Sequence, residues 1–238
     1  MSEADYPFGT GVSLERRGLR DGVYALILDM LMRSDIEPGA RLSIDGLARD
    51  LKVSPTPVRE ALVQLERTGL VTREALKGYR VAPPMSDSQV NELFDARLVL
   101  ELGAVRLAAR DAAEVVPRLQ AALEGHRAAA EAVGQTAQEG PLSVSVLRDY
   151  FTADWAFHVV LFEATRNPFL LDMSESISTR AHRMRQTVSS GVSDAQNAIC
   201  EHTAIMDAFR SGDADAAVEA MREHLEKVRS RAQADAGE

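Results

Sequence analysis

Cysteine is almost missing from this sequence: Cys200 is the single one in 238 residues, so no intramolecular disulfide can staple the fold. That suits a reducing compartment, and Cys200 itself is expected to be a small buried residue. Aromatic residues make up only 5% of the chain. Nowhere does an apolar run approach the roughly 20 residues that a membrane span needs. The opening MSEADYPFGTG lacks the basic-then-apolar plan of a signal peptide, so the expected location is the cytoplasm, with no membrane partner. Internal repeats and low-complexity tracts are also lacking, apart from the Ala-rich tail.

What is present points to helix. The chain is 45% hydrophobic and 26% charged, and rich in Ala, Leu, Arg and Glu, all good helix formers. At roughly 150 residues per domain, its length favours two domains. The net charge of −9 argues against nucleic-acid binding by the molecule as a whole, but it is unevenly spread. Residues 1–84 carry 12 Lys/Arg and 12 Asp/Glu, whereas residues 85–238 carry 15 and 24. Within 41–80 there are 8 basic residues against 5 acidic, enough for a locally positive surface.

Hydrophobic periodicity places a first helix over Leu19 to Met32, after a flexible tail at 1–18. Glu37-Pro38-Gly39-Ala40 reads as a turn, and Ser43 as the cap of a short helix from Ile44 to Leu51. Two prolines in VSPTPVREAL then sit where a third helix begins. Pro55 falls at the first helical position and Pro57 within the first turn, where backbone N–H groups have no intrahelical partner anyway. Both therefore mark a helix start, with Ser54 as its cap and Val58, Leu62 and Leu65 on its apolar side. LVTREALKGYRV turns extended, with Lys77-Gly78 at a hairpin tip. Two helices, a tight turn and a hairpin make a winged helix-turn-helix over 19–82, closed by the stiff linker 83–86.

The remainder, 87–232, shows only helical periodicity, with a tail at 233–238. Six helices are expected: from Ser86 or Asp87 to Ala112, Glu114 to Ala132, Val144 to Thr165, Pro168 to Ser189, Ser193 to Arg210 and Asp213 to Arg231. A loop through Gly134, Gly140 and Pro141 separates the second from the third. The fold class is thus mainly α: an N-terminal winged helix-turn-helix with a small β-hairpin wing, then an antiparallel all-α bundle.

In a helix-turn-helix, the N-terminal residues of the second helix lie close to base edges in the major groove. Ser54, Thr56 and Arg59 suit that position, since hydroxyls and free amides reach phosphates and arginine can grip guanine through two hydrogen bonds. An ordinary capped helix with Arg59 paired to Glu60 or Glu66 is the alternative. Lys77 and Gly78 likewise read either as a wing tip near the minor groove or as a tight turn.

The stretch PGARLSIDGLARDLKVSPTPVREALVQLERTGLV resembles the DNA-binding domain of GntR-type transcriptional regulators. The resemblance implies that Ser54, Thr56 and Arg59 face the groove and that Lys77 and Gly78 form the wing tip. Relatives often carry arginine where this chain has Asp45 and Pro55, which implies a different operator with fewer arginine contacts.

DARLVLELGAVRLAA at 95–109 and Asp154-Trp155-Ala156-Phe157-His158 resemble the FCD effector domain of the FadR-like branch, in its metal-binding, six-helix VanR-like form. Asp154 and His158, four apart, share one helix face and can hold one ion. The resemblance adds His202 and His224 to that set, the ion being zinc, nickel or manganese. Arg97 matches an arginine that faces the effector, although an ion pair within the domain explains it as well. His126 and His182 match no motif and read as surface or packing residues, and Trp155 as core or interface. What these resemblances imply is a homodimeric repressor that binds double-stranded operator DNA and responds to a small carboxylic acid, not an enzyme. Two rival readings are a metal-dependent hydrolase using Asp and three His, and a regulator whose metal is purely structural.

Overall fold

A computed structural model describes residues 13–32, 36–75, 77–83, 85–140, 142, 144–186 and 191–236; side chains at 13–17, 29, 32, 144, 179, 182–186, 191–194 and 235–236 are not described. It divides into two units, residues 1–83 and 84–238. His182 therefore lies outside the described side chains.

The first unit runs α1 (Ser13–Met32), β1 (Arg41–Leu42), α2 (Ile44–Asp50), α3 (Pro55–Thr68), β2 (Val71–Glu74) and β3 (Gly78–Val81). Helix α1 starts six residues earlier than the periodicity predicts, so 13–18 is helical and not tail. Ser43 caps α2 by accepting from the Gly46 N–H at 3.1 Å. Lys52, in the turn that follows, takes a left-handed φ of 56°. This lets the Lys52 and Val53 N–H groups donate back to the carbonyls of Arg49 and Ala48, which ends α2 sharply before α3 begins. Ser54 is the N-cap of α3 by position, yet its hydroxyl makes no capping bond. Gly69, at φ 75°, closes the other end.

Antiparallel strands form a sheet of order β1-β3-β2, with Arg73 opposite Tyr79 and Glu74 opposite Gly78. The hairpin was legible; the two-residue strand β1 was not, because RL is too short for any alternation. Ile27, Val58, Ala61, Leu62 and Leu65 are fully buried, and with Val71 and Tyr79 they join α1, α3 and the sheet in one core.

The second unit holds α4 (Asp87–Ala108), a single 3-10 turn at Ala109–Asp111, α5 (Ala112–Glu139), α6 (Val144–Ala164), α7 (Pro168–Gln186), α8 (Gly191–Ser211) and α9 (Ala214–Ala236). Ser86 and Gln89 form a reciprocal capping box at the start of α4. Asn167 caps α7 by accepting from the Phe169 N–H at 3.0 Å. Helix α5 passes straight through Gly134, where a loop is predicted. Val133 beside it is fully buried with Ala130, Tyr150 and Phe151, and that burial outweighs the ~1 kcal/mol a mid-helix glycine costs. Helix α9 likewise carries on to Ala236, seating Val228 and Ala232 in the main core. That core joins α4, α5, α6, α8 and α9 through Phe94, Leu119, Phe157, Ile205 and Leu225. Cys200 corrects its expectation: it is exposed on α8, since His202, two residues on, is the one that turns inward.

Candidate metal centre and DNA-reading helix

The start of α3 separates its two prolines. Pro57 is buried with Val58, while Ser54, Pro55, Thr56 and Arg59 are exposed on the opposite side. The hydroxyl of Ser54 is thus unspent by the helix it caps. Among the described residues Arg59 forms no ion pair with Glu60 or Glu66, and Arg41, Arg49, Lys52, Arg67 and Arg73 of the same unit are exposed too. In the wing, Lys77 is exposed beside Glu74 at 3.3 Å and Gly78 takes φ 87°.

Among its described residues the second unit buries nine polar or charged side chains, and most of them meet at one point. Asp154 and His158 come from α6, His202 from α8 and His224 from α9, all four fully buried. Nitrogens of His158, His202 and His224 lie within 4.8 Å of one another, and Asp154 Oδ1 is 3.8 Å from His202 Nε2. Each of these three imidazoles keeps a buried Nε2 with no hydrogen-bond partner among the described residues. Leaving three such atoms unsatisfied costs free energy unless something binds them together, so the donor set fits a divalent cation.

Neighbouring side chains aim the rings. His158 Nδ1 faces Glu101 Oε2 at 2.7 Å and His224 Nδ1 faces Glu201 Oε2 at 2.8 Å. A carboxylate on Nδ1 puts the ring hydrogen there and the lone pair on Nε2, as a metal ligand requires. Phe157 stacks on His202 at 4.2 Å and 8°, and Trp155 stacks on His158 at 5.3 Å. Burial, reinforced by the neighbouring imidazoles, pushes His202 and His224 well below the ordinary histidine pKa. Both are therefore neutral near pH 7, the form that ligates.

Arg97 of α4 is fully buried. Its Nε donates to Glu101 Oε1 at 2.6 Å, and its guanidinium lies over Phe94 and Trp155. Burial alone would raise the Glu101 pKa, but Arg97 and His158 together outweigh it and hold the carboxyl well below the usual range. Arg97 is thus in the ion pair weighed as its alternative role, yet Nη1 and Nη2 are buried with no hydrogen-bond partner among the described residues.

Of the two readings of His126, surface or packing, burial sets aside the first. The residue is fully buried on α5, its Nδ1 3.2 Å from His202 Nδ1 and its Nε2 3.7 Å from Asp154 Oδ1. Sequence reading also passed over Glu101 and Glu201. The spacing of four between Arg97 and Glu101 was a local signal for their ion pair, but nothing local joined Glu101 to His158, 57 residues on.

Residues 92–227 match the FCD domain, and residues 19–81 match the bacterial regulatory proteins of the gntR family. The chain belongs to the GntR family, as an FCD-domain regulator. GntR-family relatives extend along most of its length. The Uxu operon transcriptional regulator of Escherichia coli is 32% identical over 88% of this chain and 84% of its own. The HTH-type transcriptional repressor GlaR of the same species is 30% identical over 85% and 90%, and the HTH-type transcriptional regulator LutR of Bacillus subtilis 29% over 84% and 94%. E. coli McbR/YncC shares the fold, with a TM-score of 0.68 at 22% identity over 90% of this chain and 97% of that one. These families and relatives are DNA-binding transcriptional regulators, not enzymes, which sets aside the hydrolase reading. No helix among the described residues is long and apolar enough to cross a membrane.

Proposed function

We propose that this GntR-family protein is a cytoplasmic, homodimeric repressor whose operator affinity is set by a small carboxylic acid bound in the FCD domain, at a divalent metal held by Asp154, His158, His202 and His224. The observation that carries the reading is the pairing of three Nε2 atoms and the guanidinium edge of Arg97, all in one buried interior and without a hydrogen-bond partner among the described residues. When bound, the ion, zinc, nickel or manganese, supplies a positive Lewis-acidic centre for a carboxylate oxygen. Arg97 offers Nη1 and Nη2 as two parallel donors, the geometry that grips a carboxylate best. Glu101 holds Arg97 and His158 at once, so an acid that tugs on Arg97 acts on the metal-facing ring too.

Ser54, Thr56 and Arg59 read the major groove and the wing tip at Lys77 and Gly78 approaches the minor groove, in keeping with their exposure. A two-fold pair of heads matches the half-sites of a palindromic operator. Apolar side chains on α4 and α7 support pairing: Val99 is 77% exposed, Phe169 73% and Met173 51%. The repressor role is supported by a relative that bears that name.

Footprinting and mobility shifts at the protein's own promoter test the reading, with metal-stripped and metal-loaded protein and a panel of small hydroxy and dicarboxylic acids. Release of the operator by one acid, abolished by Arg97→Ala or by chelation, is the expected result. Acids that leave operator affinity unchanged while chelation still lowers thermal stability would mean that the metal is purely structural.

A further inference from the structure

His126 is not among the four residues assigned to the metal, yet its ring is buried against two of them. A hydrogen bond between two ring nitrogens needs a hydrogen on one and a lone pair on the other, and His126 and His202 meet through Nδ1 on both rings at 3.2 Å. His158 and His224 show what a ligating imidazole requires: Nδ1–H donates to a carboxylate, Glu101 or Glu201, and leaves Nε2 bare. Among the described residues no carboxylate faces Nδ1 of His202. His126 stands in that place.

The tautomers follow. For His202 to offer a lone pair at Nε2, its hydrogen must sit on Nδ1 and be donated to His126. His126 then accepts at a bare Nδ1 and carries its own hydrogen on Nε2, directed towards Asp154 Oδ1 at 3.7 Å. Ligation by His126 and His202 through Nε2 together would set two N–H groups head to head at 3.2 Å, which is repulsive. So the close group formed by His126, Asp154 and His202 is not a second set of ligands.

We infer that His126 is a positioning residue, the neutral acceptor that holds His202 in its metal-binding tautomer, and is not itself a ligand. The inference rests on the reading of Asp154, His158, His202 and His224 as the ligand set. Because a carboxylate partner raises the basicity of a ligating imidazole and a neutral ring does so less, His202 is the weakest donor of the three histidines.

The test uses the full-length protein labelled with nitrogen-15 and loaded with cadmium-113. Three imidazoles, of His158, His202 and His224, are expected to show coupling to the metal, and long-range proton–nitrogen spectra to show His126 protonated at Nε2 and uncoupled. A fourth coupled ring that disappears in His126→Gln, or a His126 protonated at Nδ1, overturns the inference. Competition against a chromophoric chelator supplies a second readout. His126→Phe fills the space but removes the acceptor and is expected to weaken metal binding about 10- to 100-fold. His126→Gln keeps an acceptor oxygen and should restore most of that loss; equal affinity in all three proteins overturns the inference. Should His126→Phe fail to fold, the spectra of the unmodified protein decide alone. If none of His158, His202 and His224 couples to cadmium, the metal-centre reading itself has failed, and this inference with it.

Discussion

Arg59 and Arg97 carry the same side chain in opposite surroundings. Arg59 is exposed near the start of a helix that presents hydroxyls beside it, so its guanidinium is available to a base. Arg59→Ala is expected to weaken specific operator binding by about 1–3 kcal/mol, measured by fluorescence anisotropy at fixed salt. Full affinity and specificity in that variant would remove Arg59 from the base-reading set. Arg97 is sealed inside the bundle, where its charge is balanced by Glu101. Glu101→Ala leaves a buried charge without its partner and should cost about 3–5 kcal/mol of stability, read from the urea midpoint. Replacing both, as Arg97→Met with Glu101→Leu, should recover most of that cost. A double variant as unstable as the single one would show that the pair is held for reasons other than mutual compensation.

At the scale of elements, capped helix starts were more legible than helix ends. Ser43, Ser86 and Asn167 announce helix starts because a cap is a local exchange between a side chain and N–H groups two or three residues on. Ser86→Ala breaks half of a reciprocal box and is expected to cost ~1 kcal/mol, visible as a lower unfolding midpoint with an unchanged denaturant slope. Helix α5 shows the opposite case. Gly134 reads locally as a break, but the burial of Val133 against α6 residues carries the helix on to Glu139. Likewise, nothing in the local pattern of α5 marks His126, because Tyr150, Asp154 and His202, which it meets, lie 24 residues and more away along the chain.

For the whole molecule, two separate cores and an uneven charge describe a division of labour. The basic excess within 41–80 belongs to the unit that matches the gntR family, and the acidic excess to the unit with the buried histidines. Chelation is expected to lower the unfolding temperature of the second unit in calorimetry. An ion at a hundred times its dissociation constant adds about 2.7 kcal/mol to the folded state, and that contribution is lost with it. An unfolding profile insensitive to chelator and to added metal would argue against a bound ion.

The sequence by itself determined the winged helix-turn-helix, the helical bundle and the family, because caps, turns, periodicity and the run VSPTPVREAL act over a few residues. It also named Asp154 and His158 as one face of one helix. Only the tertiary structure decided that His126 and Glu101 join them and that Cys200 stays outside. It also decided that Arg97 is both paired and still able to donate. Such outcomes depend on which helix faces pack together, and that packing is settled by the whole core at once, not by any local stretch of chain.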